Sequence, residues 1–326
     1  MRTLWMSMVL FFTLALITPV FSTEYANPQL LVSTADIEKN MDKWILLDCR
    51  DNKAYTEGHI PGAISLGEAC AKEMRDTTSR IKKIGEIERL LGNAGVSMDK
   101  TVVVYADAGS ITSATVAFWI LEYLGHKDVR FLNGGIEAWV KAGKSLDKNP
   151  TRLSPVTFNA NVIKKRLATS DEMLKIAKGE IKGVNVIDSR TTKEHRGEDI
   201  RALRGGHIPN TTINVSHLDT YNKETGEIHP MDKLTEFFGK LDRNKRTIAY
   251  CQTGTRSTLT YLELRLMGFK DPANYDDSWI VYGSNVDYPV EDENWFDFVK
   301  VNNAIKALKK ELEEMKKAAK PVTGGY

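Results

Sequence analysis

The sequence contains a long internal repeat, which restricts the architecture more than any other feature. Four blocks of the first half recur in the same order in the second: LLDCR (46–50) as VIDSR (186–190), GHIPGA (58–63) as GHIPNT (206–211), residues 101–114 as 246–259, and residues 124–139 as 267–282. An ordered set of matches is not expected by chance. The repeat predicts two homologous domains, residues 30–145 and 166–293, joined by an exposed linker at 146–165.

Each half alternates short apolar runs with amphipathic patterns, which indicates alternating strands and helices. Residues 33–41 and 169–178 begin with capping residues and continue with helical spacing. The strand candidates are nearly continuous apolar runs, typical of strands buried on both faces of a parallel sheet: residues 44–49, 101–106, 184–189 and 246–251. The sequence therefore predicts an α/β fold, with a mainly parallel sheet flanked by helices in each domain.

Composition excludes several classes of protein. The 326 residues hold 45 Lys and Arg against 43 Asp and Glu, so a formal net charge of +2 gives no field that would attract nucleic acid. The three cysteines, Cys49, Cys70 and Cys251, are too few for a disulfide scaffold and lack the spacing of a zinc site. Because their number is odd, at least one thiol is expected to be free.

Residues 1–22 are predicted to be a signal peptide rather than part of the fold. Arg2 precedes an apolar run at 4–17, and Val20 and Ser22 fit the positions three and one before a cleavage site. Cleavage after Ser22 would leave the rest of the chain exported, and we expect a periplasmic location. The alternative is an uncleaved N-terminal membrane anchor, although Pro19 interrupts the apolar run.

Cys251 lies where a predicted strand ends and a predicted helix follows. In parallel sheets, ligands bind beyond the carboxyl ends of the strands. A short loop with Gly254 at a helix N-terminus can direct several backbone N–H groups inward and bind an anion. The same field, together with Arg256, favours thiolate over thiol, so we interpret Cys251 as an activated nucleophile facing an anionic substrate. The alternative is a buried, unreactive cysteine.

These blocks resemble the rhodanese family of sulfurtransferases in its tandem two-domain form. The resemblance extends to about residue 295, and the loop CQTGTRS (251–257) matches the family pattern Cys-x-x-Gly-x-Arg-Ser/Thr at every defined position. It implies that the Cys251 thiolate takes a sulfane sulfur from a donor such as thiosulfate, and that sulfite leaves. The persulfide would then pass its sulfur to cyanide or a thiol. The resemblance implies neither a cofactor nor a metal.

The resemblance also implies a set of residues that bind the donor anion around Cys251. They are Arg256, Arg190 and the loop residues Gln252, Thr253, Gly254, Thr255 and Ser257. Arg256 can bind an oxyanion through its planar fork of N–H donors, which favours an inorganic donor such as thiosulfate. Arg190 matches a family position whose arginine faces the active cysteine. The alternative for Arg190 is a structural ion pair with Asp188, Glu194 or Glu198.

The first domain keeps the length of this loop and lacks its chemistry. When the copies are aligned on the loop glycine, Ala106 stands where the second domain has Cys251. Ile111 stands where the second domain has Arg256. Domain 1 is therefore predicted to carry no sulfur-transfer chemistry.

Five further residues are interpreted in structural terms. Cys49 and Cys70 are interpreted as ordinary buried thiols, and a disulfide between them is left open. His59 and His207 occur in the GHIP turns of both copies, so they are interpreted as structural. Asp277 stands where family members commonly have glycine, so the local turn is expected to differ there.

Two other functions fit parts of the pattern. A Cdc25-like phosphatase or arsenate reductase shares the fold and a cysteine–arginine anion loop, but its loop is one residue longer than the four residues between Cys251 and Arg256. The second alternative is an exported persulfide or selenium carrier that serves a partner without appreciable turnover. The sequence does not separate this carrier from an enzyme.

The segment after the repeat is predicted to form one amphipathic helix at 300–320. Apolar residues recur there at spacings of four and three, with Lys and Glu between them: Val301, Ile305, Leu308, Leu312, Met315 and Ala319. We favour a helix docked on its own domain, and the alternative is a contact with a partner or a second copy. Residues 321–326 are predicted to be a frayed tail.

Overall fold

The computed structural model describes residues 24–318. The predicted signal peptide, Ala319 and the predicted tail lie outside the described residues. Within the described residues, the chain forms two α/β domains, and each is built on a five-stranded parallel sheet flanked by helices. The predicted fold class is confirmed.

Domain 1 has the strand order β1-β5-β4-β2-β3. Its strands are β1 (Leu31–Val32), β2 (Ile45–Asp48), β3 (Ile64–Ser65), β4 (Val102–Tyr105) and β5 (Val129–Leu132). Its helices are α1 (Thr34–Asn40), α2 (Asn52–Glu57), α3 (Cys70–Glu73), α4 (Ile84–Asn93), α5 (Ile111–Tyr123) and α6 (Gly135–Lys141). Short 3-10 helices lie at Pro28–Leu30 and Ala108–Ser110. The central strands β2 and β4 are buried along their whole length, which explains their continuous apolar sequence.

Domain 2 repeats this arrangement with the order β6-β11-β10-β7-β9. Its strands are β6 (Leu167–Ala168), β7 (Asn185–Asp188), β8 (Arg204–His207), β9 (Ile213–Asn214), β10 (Arg246–Tyr250), β11 (Asp271–Tyr275) and β12 (Glu291–Trp295). Its helices are α7 (Ser170–Ala177), α8 (Thr192–His195), α9 (Met231–Phe238), α10 (Ser257–Leu266), α11 (Ser278–Tyr282) and α12 (Phe298–Ala318). Short 3-10 helices lie at Lys164–Arg166 and His217–Asp219. Strand β12 pairs antiparallel with β8, outside the main sheet.

The helix starts predicted from capping residues are confirmed. The Ser33 side chain accepts a hydrogen bond from the Asp36 N–H at the start of α1, and the Asp36 carboxylate accepts one from the Ser33 N–H. The Thr169 side chain accepts a hydrogen bond from the Glu172 N–H at the start of α7. These side chains satisfy N–H groups that have no partner within the helix.

The two domains pack through α5 and α10, and both helices are buried on nearly all sides. The hydroxyls of Thr115 on α5 and Thr258 on α10 are 2.8 Å apart. Glu122 on α5 accepts hydrogen bonds from Tyr261 at 2.6 Å and from Arg265 at 2.9 Å. The apolar core continues from one domain into the other across these helices. Loops of one domain can therefore contact the sheet edge of the other.

The predicted linker follows the surface of domain 1 in an extended conformation. Asp147 pairs with His59 in an isolated bridge, and the Val156 N–H donates to the Gly92 carbonyl at 2.9 Å. Phe158 is buried in the core. These contacts hold much of the segment against domain 1 before it enters domain 2.

The C-terminal helix α12 forms where it was predicted, but it is not docked on the rest of the described chain. Every described side chain from Phe298 to Lys317 is exposed. The apolar stripe faces solvent, with exposed fractions of 38 to 63% at Val301, Ile305, Leu308, Leu312 and Met315. The favoured expectation of a docked helix is therefore wrong. Within residues 24–318, no helix combines the length and the apolar character needed to cross a membrane.

Candidate active site

Cys251 follows β10 directly, at the carboxyl end of the domain 2 sheet. Its side chain is fully buried, and it is the free cysteine among the described residues. The loop 251–256 then connects the strand to α10, which begins at Ser257. This is the position predicted for a nucleophile, beyond the end of a parallel strand.

The other two cysteines form a disulfide between Cys49 and Cys70. The interpretation as two ordinary thiols is therefore wrong, and the alternative that was left open holds. The physical reason is local: Cys49 follows β2 and Cys70 opens α3, and the fold brings their Cα atoms to 4.7 Å. A separation of 21 residues in sequence concealed this proximity.

The loop directs polar hydrogens at the Cys251 sulfur. The backbone N–H groups of Thr253 and Ser257 interact with the sulfur, and the Ser257 hydroxyl oxygen lies 3.5 Å from Sγ. Gly254 makes this turn with φ of +72°. A Cβ at Gly254 would lie 2.5 Å from the Asp276 carbonyl oxygen, so the turn requires glycine on two grounds.

The electrostatic balance favours the thiolate. Burial alone raises the pKa of Cys251, but the charge of Arg256 and hydrogen bonds from Ser257 and Thr253 outweigh burial and hold that pKa below its usual value. The thiolate is the nucleophilic form of cysteine. The site therefore provides a buried nucleophile in a positive, hydrogen-bonding environment.

Arg256 is held by a buried carboxylate on α8. Its two terminal nitrogens donate to the two Glu194 oxygens at 2.7 and 2.8 Å, and Glu194 is 1% exposed. Burial opposes ionisation of Arg256, whereas Glu194 and the Cys251 thiolate raise its pKa. The fork geometry uses two of the five guanidinium N–H donors, so three remain for an anion.

Two residues that the sequence analysis missed support the loop from behind. The Ser278 hydroxyl accepts from the Cys251 N–H at 3.1 Å and donates to the Tyr275 carbonyl at 2.7 Å. Asn274 accepts from the Ser257 hydroxyl at 2.6 Å and donates to the Gly254 carbonyl at 3.0 Å. The repeated block at 267–282 was the available signal for both residues.

The backbone at Asp277 differs from that at the matching position of domain 1. Asp277 has φ of −60°, whereas Gly134 at the corresponding place in domain 1 has φ of +77°. The next residue of each copy takes the left-handed conformation, with φ of +51° at both Gly135 and Ser278. Position 277 therefore does not require glycine, and the left-handed backbone conformation is at Ser278 instead.

Three other predicted loop residues point away from the sulfur. The Gln252 side chain donates to the Arg201 carbonyl at 2.7 Å. The Thr253 carbonyl and the Thr255 hydroxyl both accept hydrogen bonds from Arg75 of domain 1. These residues therefore shape the loop through outward contacts, while the Thr253 N–H faces Cys251.

The role of Arg190 in binding the donor anion stays a prediction, and the structure shows the ion pair that was its alternative. Arg190 is 1% exposed, and it donates to both Asp188 oxygens and to the Gly206 carbonyl at 2.7 Å. Its guanidinium also lies 4.5 Å from the ring centre of Trp279. Arg50 makes the same pair with Asp48 in domain 1, where the nucleophile is absent. The structural ion pair with Asp188 is therefore a feature of the fold in both domains.

The loop of domain 1 that corresponds to the Cys251 loop lacks the cysteine but keeps part of the same hydrogen bonding. The Ile136 N–H donates to the Ala106 carbonyl at 3.0 Å, as the Trp279 N–H donates to the Cys251 carbonyl at 3.0 Å. In domain 1, however, the Ala108 N–H donates to the Glu137 carboxylate at 3.0 Å. The Glu137 carboxylate thus binds one of the backbone N–H groups of the domain 1 loop.

Arg75 is the largest omission of the sequence analysis. It follows α3 in domain 1, is 3% exposed, and reaches the catalytic loop of domain 2. A cleft of about 720 Å³ borders the same loop at Thr253 and is lined from both domains. The lining residues include Thr78 and Arg80 of domain 1 and Ile280 and Asn285 of domain 2. The site therefore lies at the interface between the two copies of the repeat.

Fold and site together define a class of protein: a duplicated α/β protein in which one copy holds a buried free cysteine in the loop between a parallel strand and the next helix. The family model for the rhodanese-like domain matches residues 33–142 and 171–284. The chain belongs to the rhodanese family.

Relatives support the same assignment over most of the chain. A thiosulfate sulfurtransferase of Corynebacterium glutamicum is 31% identical over 290 residues, which cover 84% of this chain and 93% of the relative. The sulfur carrier protein TtuD of Thermus thermophilus is 31% identical over 288 residues, which cover 82% of this chain and 98% of the relative. The predicted likeness to thiosulfate sulfurtransferases is confirmed.

A solved structure supports the fold. The anaerobic ergothioneine biosynthesis enzyme of Chlorobium limicola, in complex with trimethyl histidine, superimposes with a TM-score of 0.73 at 22% identity. The match covers 82% of this chain and 71% of that enzyme. At this identity, the comparison extends to the fold alone.

Proposed function

We propose that the protein is a sulfurtransferase that moves a sulfane sulfur from thiosulfate, through a persulfide on Cys251, to cyanide or a thiol. The observation that carries the proposal is the buried Cys251 thiol, whose pKa is lowered by Arg256 and by N–H groups of its own loop. Such a site serves nucleophilic attack on an anionic substrate better than it serves structure.

The first half-reaction forms one S–S bond and breaks another. The Cys251 thiolate attacks the outer sulfur of thiosulfate, the S–S bond of thiosulfate breaks, and sulfite leaves with the bonding electron pair. One negative charge stays on the enzyme as the persulfide, and two leave on sulfite. Arg256 supplies free N–H donors for the sulfonate oxygens during this step.

The second half-reaction regenerates the thiolate. Cyanide or a thiolate attacks the outer sulfur of the persulfide, and thiocyanate or a new persulfide leaves. The N–H groups of Thr253 and Ser257 that stabilise the Cys251 thiolate remain available to the anionic persulfide. Two displacements through one covalent intermediate predict ping-pong kinetics.

Thiosulfate is the proposed donor for two reasons. Arg256 lies inside the loop, and a planar guanidinium matches the oxygen geometry of an inorganic oxyanion. Relatives that match most of the chain are named thiosulfate sulfurtransferases, including the one in Corynebacterium glutamicum.

A persulfide carrier is the second candidate. A relative that is 31% identical over 288 residues is named a sulfur carrier protein. A carrier would complete the first half-reaction and then deliver sulfur to a partner. Turnover with cyanide as the acceptor separates the two functions, because a carrier would load sulfur without appreciable catalytic release of thiocyanate.

The test is a steady-state assay of sulfite and thiocyanate with thiosulfate and cyanide as substrates. Wild-type protein with an intact Cys251 thiol is expected to turn over. Cys251→Ser is expected to lose sulfite release entirely, whereas Cys49→Ser/Cys70→Ser is a matched control that retains Cys251. Absence of turnover by the wild type would contradict the enzyme function, and full activity in Cys251→Ser would contradict the site.

We also propose that the protein is exported, to the periplasm, after cleavage behind Ser22. The Cys49–Cys70 disulfide supports this location, because disulfides persist in oxidising compartments. The N-terminal apolar run supplies the export signal. Cell fractionation and the N-terminal sequence of the native protein test the proposal. A reduced cytosolic protein that retains residues 1–22 would overturn it, and a membrane-bound protein that retains them would favour the anchor.

A further inference from the structure

A hairpin of domain 1 covers the catalytic loop of domain 2. Arg75 and Ile81 form an antiparallel bridge at its base, and the Asp76 N–H donates to the Arg80 carbonyl at 2.8 Å inside it. We call this segment hairpin 75–81. The Ile81 N–H donates across the interface to the Asp276 carboxylate at 2.8 Å. The nucleophile-free domain thus contacts the active site through a defined element.

Arg75 is the residue of hairpin 75–81 that reaches furthest into the site. It donates to the Thr253 carbonyl at 3.1 Å, to the Thr255 hydroxyl, and forms an ion pair with Asp276. Both charged side chains of this pair are almost fully buried. An Nη atom of Arg75 would lie 2.8 Å from a Cβ at Gly254, so the guanidinium packs directly on the loop.

Domain 2 contains the corresponding hairpin, which covers the nucleophile-free loop of domain 1 and lacks these charges. Tyr221 and Ile228 form the matching antiparallel bridge in domain 2. The Ile228 N–H donates to the Asn133 side chain at 2.9 Å, as the Ile81 N–H donates to Asp276. In this arrangement the uncharged Tyr221 and Asn133 take the places of Arg75 and Asp276. The hairpin contact is common to both halves, and the charged pair accompanies the nucleophile.

We propose that Arg75 is a positioning residue supplied by domain 1, which holds the Thr253–Thr255 backbone in its anion-binding conformation and neutralises Asp276 beside the thiolate. Domain 1 is then part of the active site, although it lacks a nucleophile. The proposal rests on the proposed function only in that Cys251 is the reactive group.

Two steps connect Arg75 to the chemistry. The Thr253 carbonyl points outward because it accepts a hydrogen bond from Arg75. The N–H of the same residue is therefore available to the sulfur. In addition, a buried Asp276 carboxylate without a counter-ion would place negative charge beside the loop and oppose thiolate formation. Burial lowers the pKa of Arg75 to about 10, and the Cys251 thiolate opposes that fall, so Arg75 stays charged near neutral pH.

Other charged groups surround the thiol and must be counted in any pH profile. Arg256 ends the loop and pairs with Glu194 of α8, and Arg201 lies 3.7 Å from Glu194. Burial and Arg256 lower the pKa of His217 to about 4, so His217 is neutral across the working range. Arg190, Asp188 and His195 form a separate buried cluster under the strand ends. A shift in the Cys251 pKa on changing Arg75 alone therefore isolates the contribution of Arg75.

The test measures the alkylation rate of Cys251 by iodoacetamide from pH 5 to 10 in the full-length chain. The variants are Arg75→Met, Arg75→Lys and Arg75→Met/Asp276→Asn. Lys72→Met is the matched control, since Lys72 lies on α3 just before the hairpin and pairs with Glu68 at an exposed site. Alkylation does not require sulfur transfer, so the experiment stays informative even if the proposed function fails.

Arg75→Met is expected to raise the Cys251 pKa by about one unit and to slow alkylation about tenfold at pH values below it. Arg75→Lys is expected to retain most of the rate, and Asp276→Asn in the double variant is expected to restore at least half of the lost shift. Lys72→Met should stay within twofold of wild type. An unchanged alkylation profile in Arg75→Met, or a double variant no better than the single one, would overturn the proposal. If Arg75→Met does not fold, Arg75→Lys and the single variant Asp276→Asn replace it. A Cys251 pKa in Asp276→Asn at or below the wild-type value supports the role of Arg75 in neutralising Asp276. A raised Cys251 pKa in that variant refutes it.

Discussion

Replacing Arg256 by methionine is expected to raise the Cys251 pKa by about two units. An opposite charge beside a titratable group shifts its pKa by roughly 1–3 units, and Arg256 is the largest of the contributions that lower the pKa of Cys251. The thiolate exists above the pKa and is lost as the pH falls through it. At any pH below both pKa values, a rise of about two units therefore reduces the thiolate fraction about 100-fold.

The same substitution also removes the partner of a buried carboxylate. Breaking a buried ion pair costs about 3–5 kcal/mol, and the lower end applies because Arg201 remains 3.7 Å from Glu194. The double variant Arg256→Met/Glu194→Gln removes both charges, so its stability should recover. Its thiol should nevertheless remain less reactive than wild type, because the cation that favours the thiolate is gone.

The assay is the iodoacetamide alkylation rate across pH 5 to 10, paired with thermal denaturation of each variant. Arg256→Lys is the charge-retaining control and is expected to alkylate faster than Arg256→Met at every pH below the thiol pKa. The inflection in Arg256→Met should move to higher pH. A wild-type alkylation profile in a folded Arg256→Met protein would refute the assignment of Arg256 as the residue that activates Cys251.

Three further predictions follow from single contacts. Gly254→Ala should abolish thiocyanate formation and lower the melting temperature, because its Cβ would lie 2.5 Å from a backbone oxygen at a φ of +72°; an active, stable variant would contradict this. Cys49→Ser/Cys70→Ser should lower the free energy of unfolding by about 3 kcal/mol in denaturant titration, since the disulfide closes a loop with a separation of 21 residues; a loss below about 1 kcal/mol would contradict the loop-closure argument. Removal of residues 298–326 should leave the melting temperature within about 1 °C of the full chain, because the described side chains of α12 are exposed; a clear fall would show packing of α12.

The fold was predictable from sequence because its signals are local and repeated. Four ordered blocks established the duplication, and continuous apolar runs marked the buried parallel strands. Cys251, Gly254 and Arg256 were predictable for a related reason, since strand, loop and helix N-terminus follow one another within one short segment.

The remaining site residues come from segments far away in the chain. Arg75 precedes Cys251 by well over a hundred residues, and only the docking of the two domains brings them together. Cys49 and Cys70 were misjudged for the same reason, because spacing alone does not show two Cα atoms at 4.7 Å. For Arg190 the family resemblance suggested a role at the active cysteine, and the structure adds an ion pair with Asp188, two residues earlier in the chain.

The central claim is that Cys251 carries sulfur as a persulfide. Its most direct test is the intact mass of the protein after incubation with thiosulfate and removal of excess reagent. We expect a gain of one sulfur atom, located on Cys251 by peptide mapping and lost on addition of cyanide. An unchanged mass in protein whose Cys251 is a free thiol, or the same gain in Cys251→Ser, would contradict the account.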